Sequence, residues 1–148
     1  MMAPKITWYV LEDLDGVYDY SPKRTHDMEG SYAPGDNMNI KIQLWNNRLG
    51  SEDVLDAVNA KLVVFFKNYE DNYLLKLCKV KTNQQEAKAL TIDMDRGLFD
   101  LGFISGGANN GSDLNTDNYV EFELQIGPIP TNVKSELKGL ILDVEYDN

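Results

Sequence analysis

Apolar and polar residues alternate along much of this chain. In "MNIKIQLW", Met38, Ile40, Ile42 and Leu44 share one face, and Asn39, Lys41 and Gln43 share the other. A two-residue period of this kind belongs to a strand with one face buried. "KALTIDMD" sets Leu90, Ile92 and Met94 against Thr91, Asp93 and Asp95, and the carboxy-terminal "LKGLILDVEY" sets Leu140, Leu142, Val144 and Tyr146 on one face. "AKLVVFFKNY" is almost continuously apolar, the pattern of a strand covered on both faces. "NYLLKLCKVK" follows across the polar "NYEDN", which predicts a hairpin between those two segments. "KITWYVLEDL", "GLFDLGFIS" and "YVEFELQIG" bring the total to about eight strands separated by turn signals. That is the pattern of an antiparallel β-sandwich.

Helical expectations are short. "SEDVLDAV" offers Ser51 as an N-cap with acids in its first turn, and "TNVKSELKG" follows Pro130 and stops at glycine. "GGANNGSDLNTDN" is a polar loop, and residues 15 to 37 carry no sustained period. At "WNNRLG" the strand ends, because Asn46 and Asn47 tolerate left-handed backbone angles and bond their own main chain. Trp45 then falls out of phase with Ile42 and Leu44, on the polar-facing side, as an exposed ring. The pattern divides the chain into an irregular amino-terminal arm, 1–36, and a sandwich domain, 37–148. Lys5 to Leu14 reads alternatively as the sandwich's first strand, which moves the boundary to near Asp15.

Two stretches resemble a known family. "IKIQLWNNRLGSEDVLDAVNAKLVVFF" is similar to the early strands of bacterial and phage immunoglobulin-like accessory domains, and "YVEFELQIGPIPTNVKSELKGLILDVEYD" is similar to their closing half. The likeness runs from about Asn37 to Asn148, lacks the cysteine pair of antibody-type domains, and has no counterpart for residues 1 to 36. It implies an immunoglobulin-like fold and carries no catalytic signature.

Composition narrows the chemistry. Fourteen Lys and Arg stand against 24 Asp and Glu over 148 residues, a net charge of −10, which repels nucleic-acid backbones. The acids are spread along the chain, as on a solvated surface. One cysteine, Cys78, excludes an internal disulfide and reads as a small buried hydrophobe. "MMAPKITWYV" is no signal peptide, and no apolar run of about 18 residues predicts a membrane helix. His26 is the single histidine and falls in a polar loop, so no His-based zinc set exists. No nucleophile elbow, phosphate loop or His-Glu-x-x-His motif occurs. Asp93 and Asp95 read as a solvent face rather than a glycosidase pair. "LEDLDG" and "DMDRG" fall short of a calcium loop, and Asp113, Asn115 and Asp117 at alternate positions offer an oxygen set for a loop-tip ion but read first as a surface turn. No catalytic, cofactor or metal residues are therefore expected.

Aromatic residues remain as candidate partner-binding groups: Trp8, Tyr9, Tyr18, Tyr20 and Tyr32, together with Trp45. Trp and Tyr serve as interface anchors, and flat exposed rings also stack on sugars. The expectation is a non-enzymatic assembly protein, a phage virion component (tail, neck, fibre or capsid decoration) that contacts other subunits or its own copies. Its location is then the virion, with cytoplasm or a cell-surface assembly as alternatives. The competing reading is a carbohydrate-binding or host-adhesion module that meets a surface glycan through those rings.

Overall fold

The computed structural model describes residues 1–11, 26–32, 37–48, 50, 53–82, 85–110, 116–128 and 137–147. Its strands are β1 (Ile6–Leu11), β2 (His26–Tyr32), β3 (Met38–Asn46), β4 (Ala57–Phe66), β5 (Cys78–Thr82), β6 (Lys88–Ala89), β7 (Thr91–Asp93), β8 (Arg96–Ile104), β9 (Tyr119–Ile126) and β10 (Leu137–Asp147). Two 3₁₀ segments, Tyr69–Leu77 and Thr116–Asn118, complete the described secondary structure.

The strands form two antiparallel sheets, β1-β3-β9-β5-β6 and β2-β10-β4-β8-β7. One core lies between them. Trp8, Ile42, Leu44, Phe122 and Leu124 enter it from the first sheet, and Leu62, Val64, Leu140, Leu142 and Val144 from the second. Ile42 and Leu44, and Leu140, Leu142 and Val144, are residues that the two-residue period put on one face of their strands. β4 is buried on both faces as expected, with Leu62, Val63 and Val64 all at 0% exposure.

The all-β sandwich is present, but its connectivity differs from the immunoglobulin-like order. From β2 to β5 each strand crosses to the opposite sheet, and among the described strands only β5–β6 and β7–β8 pair as consecutive neighbours. Within the two sheets, β2-β10-β4-β8 faces β3-β9-β5-β6, which is the jelly-roll arrangement. Turn and strand motifs specify where a strand starts and stops. They do not specify which sheet receives it.

Several expectations are corrected by this topology. β4 and β5 form no hairpin, because Tyr69–Leu77 is a 3₁₀ segment that carries the chain between sheets. Asn68 caps it by accepting from the Glu70 N–H, and the buried Asn72 accepts from the Phe66 N–H at 2.8 Å. Leu74 and Leu75 then fill the core beneath it. "SEDVLDAV" does not form a helix in its described part: Val54 bridges to Met2 and Ala57 already begins β4. Most of "TNVKSELKG" lies outside the described residues, and Leu137 begins β10. Leu90, Ile92 and Met94 do not share a face. Leu90 is buried, whereas Ile92 is 49% and Met94 91% exposed, because the chain changes sheets at Leu90 and turns at Met94 (φ 55).

The described parts of residues 1–36 do not form a separate arm. β1 pairs with β3 over Ile6–Leu11, and β2 pairs with β10 over His26–Tyr32, so each sheet takes an edge strand from this region. His26 accordingly opens a strand rather than lying in a loop. Met2 adds main-chain bonds to the β3–β4 connection, donating to the Asp53 carbonyl and accepting from the Leu55 N–H.

Candidate interaction surface

Cross-strand register on the first sheet brings a set of outward side chains together. Thr7, Trp45 and Tyr119 form one row across β1, β3 and β9, and Tyr9, Gln43 and Glu121 form the next. The ring of Tyr119 stacks on Trp45 with centroids 4.3 Å apart and planes at 26°. The Arg48 guanidinium, supplied by the turn after β3, lies 4.4 Å from the Tyr9 ring centre and 5.1 Å from that of Trp45. Trp45 Nε1 donates to Gln43 Oε1 at 3.0 Å, and Gln43 Nε2 donates to Glu121 Oε1 at 3.0 Å. An indole N–H needs such a partner once buried, and a guanidinium over a ring contributes about 0.5–2 kcal/mol.

This geometry decides the fate of the candidate anchors. Trp45 is on the predicted side of its strand, but at 1% exposure its ring has no free face. Trp8 points the other way and is 0% exposed in the core. The expectation that the Trp45 ring stands exposed is therefore corrected, and the Trp8 ring is likewise closed to a partner. Neighbouring aromatic and arginine side chains cover a ring as effectively as a partner would. Tyr9 is half-buried against Arg48. The Tyr32 backbone pairs with Leu137, while Tyr18 and Tyr20 lie outside the described residues.

Among the described residues, sequence reasoning missed four large side chains that are exposed. Tyr69 is 69% and Tyr73 61% exposed on the 3₁₀ segment, and Ile92 and Met94 lie on and just after β7. The 3₁₀ segment follows Phe66 at the end of β4, and β8 starts at Arg96 beside that same end, since Val64 pairs with Gly97. Both exposed pairs thus occupy one end of the sandwich. The signal was present in "NYEDNYLLKL", where buried Asn72, Leu74 and Leu75 break the two-residue period that a strand requires.

At the opposite end, the expected turn residues do more than turn. Asn47 adopts φ 56, as its type allows. The buried Asn46 accepts from the Lys5 N–H at 2.8 Å and donates to the Leu55 carbonyl at 3.0 Å and the Ile104 carbonyl at 3.4 Å. Asn118 Nδ2 lies 3.2, 3.0 and 2.7 Å from the carbonyls of Asn46, Ser105 and Gly107. Three asparagines, with Asn47 donating to Gly106, thereby tie the loops of that end together.

Candidate chemistry is sparse. Cys78 is buried, and that burial pushes its thiol up to about 12, so it is held as an unreactive hydrophobe. Arg96 pairs with Glu145 at 2.5 Å, and this hydrogen bond raises the guanidinium further. Asp93 and Asp95 are exposed around the Met94 turn, as a solvent face would be. An open groove of about 820 Å³ has Asp100, Glu145 and Asp147 in its lining, with Asp147 accepting from Asn59 at 2.9 Å. Among the described residues no group of three His, Cys, Asp or Glu side chains could hold a metal. Asp113 and Asn115 lie outside the described residues, and Asp117 sits in the second 3₁₀ turn. Among the described residues no helix is long and apolar enough to cross a membrane.

No protein-family model, curated protein or solved structure matches this chain.

Proposed function

We propose that this chain is a non-enzymatic structural subunit of a phage virion, a tail, neck, fibre or capsid-decoration component that works through protein–protein contacts. The observation that carries this reading is the placement of Tyr69, Tyr73, Ile92 and Met94, all exposed at one end of a closely packed sandwich. Large apolar side chains gathered on a surface mark an interaction site, and Tyr and Met are favoured at interfaces. Jelly rolls serve as capsid and lectin domains, which supports the class by analogy. The glycan-binding alternative drew on Trp8, Tyr9, Tyr18, Tyr20, Tyr32 and Trp45 as stacking rings, and of these Trp8 and Trp45 are buried.

The test is sedimentation velocity and cryo-EM of the purified protein beside the Tyr73→Ser, Met94→Ser double variant. The reading expects discrete assemblies from the wild type, lost in a variant that keeps its melting temperature. A wild type that stays monomeric at all concentrations, alone and with candidate virion subunits, would overturn it.

A further inference from the structure

The edge of the second sheet contains a gap. β7 pairs with β8 only at Arg96, Gly97 and Leu98. At the other end of β8 the Ser105 N–H donates to the Asp117 carbonyl at 2.8 Å. Between these points, from Phe99 to Phe103, β8 pairs with β4 on one side and with no described residue on the other. Solvent reaches this stretch, where Asp100 and Gly102 are exposed and Phe103 is 55% exposed. A groove of about 640 Å³ runs beside this edge, lined in part by Phe99 and Leu101 and by Lys61 and Lys88. Its opposite wall is the edge of the first sheet at Thr82 and Ala89. Leu90 crosses between the sheets and plugs the core at this flank.

We propose that this gap accepts a short extended peptide segment of a partner subunit, which adds a strand to β8. An unpaired strand edge presents N–H and C=O groups whose natural complement is another extended backbone. Five residues of β8 span about 17 Å, so the segment is about five residues long. A strand that ran further would meet β7 at one end and Asp117 at the other. A second copy of β8 brings its own β7 and its own Asp117 segment into that lane, which argues for a free-standing segment rather than self-pairing. One side chain of the segment would seat on Phe99 and Leu101, which are only partly covered and pack on the core. The two lysines in the groove lining outnumber its one carboxylate, Asp100, so an acidic residue flanking that apolar side chain is favoured. The β-bulge around Leu101 and the positive φ of Gly102 (87°) limit the edge to a short partner and guard it against open-ended sheet growth.

This inference rests on the assembly reading for its biological sense, and its test is separate. The ¹⁵N-labelled full chain is titrated with a capped Glu-Val-Thr-Val-Glu pentapeptide and with the same peptide N-methylated at alternate residues. The unmodified peptide should shift the amide signals of Phe99 to Phe103 and slow exchange of their outward amides at least about tenfold. The N-methylated peptide should do neither, and Lys88→Glu should weaken binding by about fivefold. Unmoved signals at millimolar peptide, or equal effects from both peptides, would overturn strand addition. Protection of the same amides by raising protein concentration alone would make the occupant a second copy and overturn the choice made here. Strand addition without assembly sinks only the reading of function above, and assembly without strand addition sinks only this inference.

Discussion

Replacing Asn46 by aspartate exchanges a single heavy atom, Nδ2 for an oxygen, and should be among the most damaging conservative substitutions in this chain. The amide is at 0% exposure, with its oxygen facing the Lys5 N–H and its nitrogen facing two carbonyl oxygens, those of Leu55 and Ile104. Asn46→Ala removes these bonds and leaves buried main-chain groups without partners, at a cost of about 2–3 kcal/mol. Asn46→Asp keeps the acceptor for Lys5 but points a carboxylate oxygen at the two carbonyls. An uncompensated buried charge of this kind costs about 3–5 kcal/mol, a large share of the roughly 5–15 kcal/mol that holds a domain folded. Burial and carbonyl repulsion hold the proton on the folded aspartate, so its folded pKa lies above the unfolded value of about 3.9. The penalty therefore grows as pH rises above about 4 and shrinks as pH falls, because a protonated carboxyl again donates to Leu55. Urea unfolding followed by tryptophan fluorescence at neutral and mildly acidic pH measures both variants. The expected order at neutral pH is wild type, then Asn46→Ala, then Asn46→Asp, with the aspartate variant approaching the alanine one in acid. An aspartate variant within about 0.5 kcal/mol of wild type at neutral pH would refute the view that this amide holds its loops together.

Four further outcomes follow from the structure. Cys78, its thiol pushed up to about 12, should resist alkylation at mildly alkaline pH in the folded protein and react fully in denaturant, as a thiol-titration assay would show. Gly106→Ala places a Cβ 2.6 Å and 2.7 Å from the Leu55 and Val54 carbonyl oxygens, which are backbone and cannot step aside, so it should cost about 2 kcal/mol or more. The adjacent Gly107→Ala meets only the Ser105 hydroxyl at 3.3 Å and should stay within about 0.5 kcal/mol of wild type by the same denaturation assay. Trp45→Phe removes the donor to Gln43 and should lower stability by about 1–2 kcal/mol; Trp45→Phe with Gln43→Leu, tested as a double-mutant cycle, should show coupling.

For the long alternating segments the sequence by itself determined both the strand and its buried side. Ile40, Ile42 and Leu44, and later Leu140, Leu142 and Val144, alternate with polar residues, and a pleated backbone can satisfy that period in only one way. It also determined the turn at Asn47 and the burial of Cys78, because both depend on residue type in a local setting. Only the tertiary structure decided which sheet each strand joins. Antiparallel pairing is equally available to any exposed edge, and the choice is made by long-range register, which no local pattern encodes. The jelly-roll order, the sheet change at Leu90 and the 3₁₀ crossing at Tyr69–Leu77 all follow from that choice. The same choice buried Trp45: an out-of-phase ring is solvent-facing on an isolated strand, but here register supplies Tyr119 from β9 and Tyr9 from β1, and Arg48 follows from the turn. It also left Phe99 to Phe103 with an open edge, since β7 has only three residues to pair along a nine-residue β8.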